Sequence, residues 1–146
     1  MDRISLSTNL FLDEYIPKDE YMKWKDTPEV LIRKLNPALI RADQLLRDIF
    51  GPITINTWWD GGDKIHSGWR PITCTEGAAF SDHREGNASD KTFSNATAEE
   101  VREYLKKDLN WKWLGITVIE DGISWVHTSV AWVRDQNQLW IVEPNS

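Results

Sequence analysis

Two histidines and one aspartate are the side chains of this 146-residue chain whose types and spacing best suit a metal ion: His83, Asp90 and His127. His83 and Asp90 are separated by a short segment that contains Gly86. An extended chain would hold the two ligands more than ~20 Å apart, so sharing one ion requires the chain to fold back. Glycine permits such a turn, and we therefore predict one at Gly86.

His127 lies within a run that is typical of a β-strand. Period-two alternation puts Trp125, His127, Ser129 and Ala131 on one face of that strand. A histidine beneath a tryptophan is also typical of a hydrogen-bonded core residue, so the pattern alone allows both roles. Three nitrogen and oxygen ligands would leave a fourth position open for water, which is the arrangement of catalytic zinc. Cys74 is the single cysteine, which excludes a C-x-x-C metal pair.

Helical periodicity predicts three helices around these residues. One runs from Thr27 to about Leu35, and a second runs from Pro37 to Ile49, with Asn36 as its N-cap and Gly51 closing it. A third is expected over Thr97 to Lys107, because that segment opens with a capping-box pattern and ends in lysines. We expect the first two helices to cover one face of a sheet.

The strand signals lie on either side of the third helix. Alternating β-branched residues predict a strand from Ile53 to Trp58, and the segment from Asp60 to Lys91 has no long periodic element and is expected to be a functional loop. A Glu-Asp-Gly turn joins Leu114–Ile119 to Trp125–Trp132 as an antiparallel hairpin, and Leu139–Val142 can add a last strand. The predicted class is α+β, a single domain over residues 1–146 with helices packed on a mainly antiparallel sheet.

Composition narrows the classes of partner. The net charge of -6 argues against a nucleic-acid surface, which needs a clustered basic face. No apolar run is long enough to span a bilayer, and the first residues lack a secretory signal, so we expect synthesis in a cytoplasm and no membrane insertion. Nine tryptophans are unusually many. Most should serve packing, and a minority lining a sugar- or peptide-binding groove is the sharper alternative.

Four motifs, in family order, resemble the M15 family of zinc peptidases, the D-Ala-D-Ala carboxypeptidase and dipeptidase group. Ser81–Asp90 fits the signature S-x-H-x-x-G-x-A-x-D, and Trp125–His127 resembles the late aromatic–aliphatic–His strand. Ser67–Arg70 is similar to the S-G-aromatic-R turn that precedes the signature. Leu6–Glu14 resembles the opening of phage-encoded members, which look closest. The resemblance extends from about residue 5 to residue 133.

The resemblance implies the fold shared by Hedgehog signalling domains and DD-peptidases, with one Zn²⁺ held by His83, Asp90 and His127. It implies hydrolysis of peptide bonds in bacterial peptidoglycan. Arg70 matches the family arginine that binds substrate or stabilises a developing oxyanion. The alternative for Arg70 is structural, as an arginine that ties the long loop to a carboxylate.

The general base is where the chain departs from the family. Active members carry an acid three residues before the last histidine, and many phage members carry one two residues after it; these positions are Ser124 and Ser129 here. A serine hydroxyl cannot act as a base near neutral pH without an activating neighbour. Glu120 could fold back over the metal as the base if the hairpin turn is longer than drawn, and Glu85 is a weaker candidate. Otherwise Glu120 and Asp121 are ordinary turn residues.

Three hypotheses follow. The first is a working zinc peptidase, an endolysin or virion-associated lysin, made in the host cytoplasm without a signal peptide. It would reach the wall after release through a holin or on the phage particle. The second is a zinc-binding but catalytically inactive domain of the same fold, used as a structural part of a phage virion beside other virion proteins. In the third, the protein is unrelated to zinc and both histidines are structural.

Overall fold

The computed structural model describes residues 2–74 and 81–144 of the chain. The α-helices of this part are α1 (Lys18–Lys23), α2 (Glu29–Ile32), α3 (Pro37–Phe50), α4 (Ala98–Lys106) and α5 (Asn110–Leu114). Its strands are β1 (Ile53–Thr54), β2 (Ala88–Phe93), β3 (Val118–Glu120), β4 (Val126–Ser129) and β5 (Trp140–Val142). Within these residues, no helix combines the length and apolar character that crossing a membrane requires.

The strands form one mixed sheet in the order β1-β2-β4-β3-β5. The pairings of β1 with β2, β2 with β4 and β3 with β4 are antiparallel, whereas β5 runs parallel to β3. The α+β class is therefore confirmed, as is the hairpin of β3 and β4. Three of the four pairings are antiparallel, as expected of a mainly antiparallel sheet, and the direction of the last strand had not been predicted.

The two longest helices begin at the caps that the sequence predicts. The side chain of Asn36 accepts a hydrogen bond from the backbone nitrogen of Ala38 at 2.9 Å, and Gly51 closes α3 with a φ of 88°. At α4, Thr97 accepts from the backbone nitrogen of Glu100 at 3.1 Å. Each cap satisfies a backbone donor that the first turn of a helix leaves unpaired. The helix predicted up to Leu35 is shorter, since α2 is a single turn.

Two of the predicted boundaries around β1 and β2 are wrong. The first strand ends at Thr54 instead of Trp58, because Trp58–Asp60 forms a 3-10 turn in which the Trp58 indole donates to the backbone oxygen of Ile16 at 2.9 Å. The loop predicted from Asp60 to Lys91 contains the start of β2. The stretch 75–80 of that loop lies outside the described residues.

The helix-covered face of β2 carries the lysine of a buried ion pair, whose carboxylate is on α3. Lys91 Nζ lies 3.1 Å from Asp43 Oδ1, and both side chains are fully buried. The hydroxyls of Tyr15 and Ser89 each donate to Asp43 Oδ2 at 2.7 Å, and Lys91 Nζ donates to Thr128 Oγ1 at 2.7 Å. Because Ser89 and Lys91 point into the core, alternation turns the side chain between them to the opposite face. That residue is Asp90.

Candidate metal centre

The turn between His83 and Asp90 is shaped by Gly86. Its φ is +72°, and a Cβ there would overlap the backbone oxygen of Lys34. The Gly86 oxygen accepts from the backbone nitrogen of Asn36 at 3.0 Å, so the turn is tied to the start of α3. The predicted reversal at Gly86 is confirmed, and it needs glycine both for its conformation and for its close approach to a neighbouring backbone.

The imidazole of His83 is held in one orientation. His83 is buried, and its Nδ1 lies 2.8 Å from the backbone oxygen of Gly68. A carbonyl oxygen only accepts, so Nδ1 carries the proton and Nε2 presents a lone pair, 3.4 Å from Asp90 Oδ1. Burial lowers the pKa of His83, which keeps the ring neutral. A backbone acceptor that orients a neutral imidazole in this way is a common support of metal-binding histidines.

Strand pairing brings the other two residues together. Asp90 on β2 is the register partner of His127 on β4, and Asp90 Oδ1 lies 2.8 Å from His127 Nδ1. Burial by itself raises the pKa of Asp90, but the hydrogen bond with His127 and the neighbouring His83 ring outweigh it and hold that pKa well below its ordinary value. The centre therefore contains an ionised carboxylate beside the imidazoles.

The ligand atoms of the three residues lie close enough together that the group could hold a metal ion. One ligand atom from each lies within 4.8 Å of the others. Metal–ligand bonds of about 2.0–2.1 Å in a tetrahedron put neighbouring ligand atoms roughly 3.3 Å apart. The 3.4 Å from His83 Nε2 to Asp90 Oδ1 matches that separation, and the 2.8 Å at His127 is somewhat shorter. The structure thus assembles the predicted group, and this group could hold a metal ion.

Arg70 lies at the edge of the centre. Its Nη2 is 3.2 Å from Asp90 Oδ2, and its Nε donates to the backbone oxygen of His66 at 2.8 Å. The backbone of the same loop also binds β2, because the oxygen of Ser67 accepts from the nitrogen of Asp90 at 2.7 Å. The ion pair is the contact expected of an arginine that ties the loop to a carboxylate. The same position leaves the guanidinium beside any group that Asp90 helps to bind.

Glu120 is on the same face of the sheet as the centre. The register of β3 with β4 pairs Val118 with Ser129 and Ile119 with Thr128. Alternation puts Glu120 on the side of Val118 and His127 on the side of Ser129. Directly opposed residues of antiparallel strands point to the same side. The Glu120 carboxylate is not part of the group of three within 4.8 Å. Glu120 is therefore next to the centre without contacting it.

The two other acidic residues considered from the sequence are placed elsewhere. The carboxylate of Asp121 lies 3.2 Å from Lys106 Nζ and 3.7 Å from Arg102 Nε, both on α4. Glu85 lines a separate groove with Trp24. Of the three acidic candidates, Glu120 is the one that the strand register puts beside His127.

A cavity of about 350 Å³ opens beside Asp90. Its other lining residues are Lys64, Ser67, Lys91, Thr92, Ser124 and Trp125. Ser124, at one of the positions where the resembled family has an acid, is thus at the cavity wall. Ser129, at the other, is buried and accepts from the backbone nitrogen of Ala131 at 3.1 Å.

Sequence reasoning missed two supports of this site. Lys64 lines the cavity, and its place just before the Ser67–Arg70 motif was the available signal. Arg102 on α4 donates to the backbone oxygens of Ile123 and Trp125 at 2.9 Å each, and so braces the turn that carries Ser124. No sequence signal marks Arg102, because its acceptors are backbone atoms.

Comparison of the chain with protein-family models, with curated proteins and with solved structures finds no match in any of the three. The family resemblance therefore rests on the four sequence motifs. The geometry adds one independent observation, which is that the histidines and the aspartate of those motifs meet at one point.

Proposed function

We propose that the chain is a zinc peptidase that resembles the M15 family, with a Hedgehog/DD-peptidase-like fold, and that it hydrolyses peptide bonds of bacterial peptidoglycan. The observation that carries the proposal is the convergence of His83, Asp90 and His127 on one face of the sheet. Two imidazoles and one carboxylate are a donor set for zinc-type transition metals, whereas calcium and magnesium prefer all-oxygen sites. A cavity beside Asp90 offers room for substrate.

In this proposal His83, Asp90 and His127 hold the zinc ion. Bound there, zinc would supply a Lewis acid for the scissile carbonyl and would lower the pKa of water. Gly68 keeps the proton of His83 on Nδ1, so that Nε2 is available as a ligand. Arg70 holds Asp90 through Nη2, and its fixed positive charge would stabilise negative charge that develops on the substrate oxygen.

Glu120 is the residue we propose as general base. A side-chain rotation would bring its carboxylate over His127, where it can take a proton from the attacking water and pass it to the leaving amine. Glu120 is half-buried and has no ion-pair partner among the described residues. Asp121, its neighbour, is held by Lys106 and Arg102 on α4. That difference makes the pair a natural comparison in an activity assay.

The proposed setting is the bacterial cell wall. The protein would act on wall peptide as a phage endolysin, made in the host cytoplasm and released to the wall, or as a lysin carried on the virion. Its interaction partners would be the peptidoglycan peptide and, on a particle, other virion proteins.

One observation favours a second candidate function. The positions of the two usual family acids are Ser124, exposed at the cavity wall, and Ser129, buried with its oxygen bonded to the backbone. Neither can replace a carboxylate as base. Without a working Glu120, the same fold would be a zinc-binding structural component of a virion.

Metal content tests the centre. Purified wild-type protein should contain close to one zinc per chain by elemental analysis, and His127→Ala and Asp90→Asn should contain less than about 0.2. His66→Ala is the control, since His66 is the one histidine outside the group of three. Thermal unfolding establishes that each variant folds. A wild type without zinc, or a similar zinc content in all four proteins, would overturn the metal proposal.

Release of amino groups from purified peptidoglycan tests catalysis. A chelator should abolish it, and zinc should restore it. Glu120→Gln should lower the rate by roughly 10²–10⁴, the usual contribution of a general base, while folded Asp121→Asn should keep most of it. Equal rates for wild type and folded His127→Ala would refute the peptidase. If zinc binds normally in that case, the second candidate function is the one supported.

A further inference from the structure

A groove of about 770 Å³ lies on the side of the molecule formed by α1, α2 and the two loops of the metal centre. We call it the basic groove, and its defining residues are Lys23, Trp24, Arg33, Lys34, Trp69 and Arg84. The residues of the metal centre do not line it. Its lining combines two features, positive charge and aromatic surface, that together indicate one class of ligand.

The first feature is charge. Four basic residues face two acidic ones, Glu20 and Glu85, although the whole chain has a net charge of -6. No ion pair within the described residues neutralises any of the four basic side chains. An excess of unpaired positive charge in a concave surface attracts anions and concentrates them locally.

The second feature is aromatic. Lys34 Nζ lies 4.8 Å from the ring centroid of Trp69, and Lys23 Nζ lies 5.4 Å from that of Trp24. Each cation lies over an indole ring. Trp69 is buried at 9% exposure, so half-buried Trp24 provides the aromatic surface that a ligand can reach. The C–H face of a sugar ring packs on an indole, and a carboxylate or phosphate on that sugar forms charge-assisted hydrogen bonds with lysine or arginine. An anionic glycan uses both features at once, whereas a simple anion uses only the charge.

The third feature is a wall of the groove that Arg84 holds in place. Arg84 Nη1 donates to the backbone oxygen of Ile72 at 3.1 Å, and Nη2 donates to that of Cys74. The guanidinium is thus immobilised before any ligand arrives, which reduces the entropy lost on binding. Arg84 follows His83 and Trp69 precedes Arg70 in the sequence, so the wall is built from the loops that hold the metal centre.

We propose that the basic groove binds an anionic glycan, with the Trp24 indole for a sugar ring and lysine and arginine for carboxylate or phosphate groups. Binding at this groove would hold the chain on a wall polymer next to its metal centre. The proposal goes beyond peptide-bond hydrolysis and does not depend on it, because the groove and the centre have no lining residue in common.

The test is co-sedimentation with purified bacterial cell wall that carries its phosphate-rich teichoic acid, the same wall after acid removal of that polymer, and insoluble polygalacturonate as a carboxylate glycan. Insoluble chitin is the neutral probe. Wild type should bind at least one anionic glycan and should not bind chitin, with affinity falling as salt is raised. Binding to intact but not stripped wall identifies phosphate as the anion, and equal binding to polygalacturonate identifies carboxylate.

Matched variants locate the site. Arg33→Glu and Lys112→Glu make the same charge reversal at exposed residues, one in the groove and one on α5. Arg33→Glu should weaken binding by about tenfold, the equivalent of about 1.4 kcal/mol, and Lys112→Glu by less than about twofold. Trp24→Phe and Trp113→Phe repeat the comparison for aromatic surface, with Trp113 on α5 and 59% exposed. Thermal unfolding shows that each variant is folded.

Several results would overturn the proposal: no binding to any anionic glycan, equal weakening by Arg33→Glu and Lys112→Glu, or binding to chitin as strong as to the anionic glycans. His127→Ala, measured with a chelator present, separates the two proposals. It should lose metal and keep glycan binding, so a failure of the peptidase leaves this result intact.

Discussion

A carboxylate lies against each face of β2, Asp43 of α3 on the core face and half-buried Asp90 of β2 itself on the other, and their surroundings differ. On the core face, Asp43 has Lys91 at one oxygen and two hydroxyl donors at the other, all within 3.1 Å. On the opposite face, Asp90 has Arg70 at one oxygen and His127 Nδ1 at the other, and His83 Nε2 lies 3.4 Å from that second oxygen. Strand alternation alone separates the two arrangements.

The comparison separates a carboxylate with a structural role from one that belongs to a group that could hold a metal ion. The partners of Asp43 come from within the fold, and Lys91 and Asp43 have no exposed side-chain surface. At Asp90 an ionised carboxylate and a neutral imidazole present lone pairs to the same point, which a shared cation would stabilise.

The largest loss of stability is expected from removing the cation of the core face, Lys91. Lys91→Met should lower the free energy of unfolding by about 3–5 kcal/mol, because it leaves Asp43 buried and without its ion-pair partner. Urea unfolding measures the change. The double variant Lys91→Met/Asp43→Asn should lose less than the single one, since it removes both charges. A loss below about 1 kcal/mol in the single variant would contradict this account of the buried ion pair.

A substitution at Gly86 should destabilise the turn between His83 and Asp90. Gly86→Ala should cost about 3–4 kcal/mol, because the new Cβ both strains a φ of +72° and overlaps the backbone oxygen of Lys34. Gly61→Ala is the matched control, since Gly61 has a φ of +83° and a Cβ added there would meet nothing within 4 Å. Denaturant unfolding of both variants isolates the overlap. Equal losses would show that only backbone strain matters.

The features that could be predicted from the sequence are those that depend on local chemistry. Gly86 was informative because its spacing from His83 and Asp90 required a turn, and the structure has that turn. The caps Asn36 and Thr97 were informative for the same reason, since local chemistry decides where a helix begins. Such features depend on neighbouring residues alone.

Strand β2 escaped prediction because two of its three core-facing residues are polar. These are Ser89 and Lys91, only Phe93 at the end is apolar, and their partner Asp43 is far away in the sequence. The position of Glu120 on the metal face likewise depends on the register of two strands, which the turn sequence did not determine. Residues that meet only through tertiary packing leave no local pattern.

Glu14 extends the comparison to a buried carboxylate that lacks a contacting cation. Its Oε2 accepts from the backbone nitrogen of Phe11 at 2.8 Å, while Arg3 pairs with Asp13 instead. Burial, opposed by that hydrogen bond and by Arg3 and reinforced by Asp13 and Asp43, raises its pKa from 4.5 to about 7. The folded state therefore holds this proton more tightly than the unfolded state does.

The resulting stability is fully present below pH 4.5 and is lost as the pH rises through about 7. Glu14→Gln mimics the protonated form, so its free energy of unfolding relative to wild type should rise by about 2–3 kcal/mol between pH 4.5 and pH 8. Urea unfolding at several pH values measures this difference. A difference that does not change with pH would show that Glu14 is ionised in the folded protein throughout the range.

The smallest change in stability is expected at Asn36, which connects helix α3 to the turn between His83 and Asp90. Its side-chain oxygen caps α3, the helix that carries Asp43, and its Nδ2 donates to Asn87 Oδ1 at 3.0 Å in the turn of the metal centre. Asn36→Ala should cost about 1 kcal/mol for the cap. Asn36→Ser keeps a capping hydroxyl but cannot reproduce the amide donor. Its stability should therefore stay near that of the wild type, while its affinity for zinc should fall. Competition with a chromogenic chelator measures that affinity. If both variants bind zinc as tightly as wild type, the turn holds its ligands without this tether, and Gly86 alone would connect the metal centre to the helical layer.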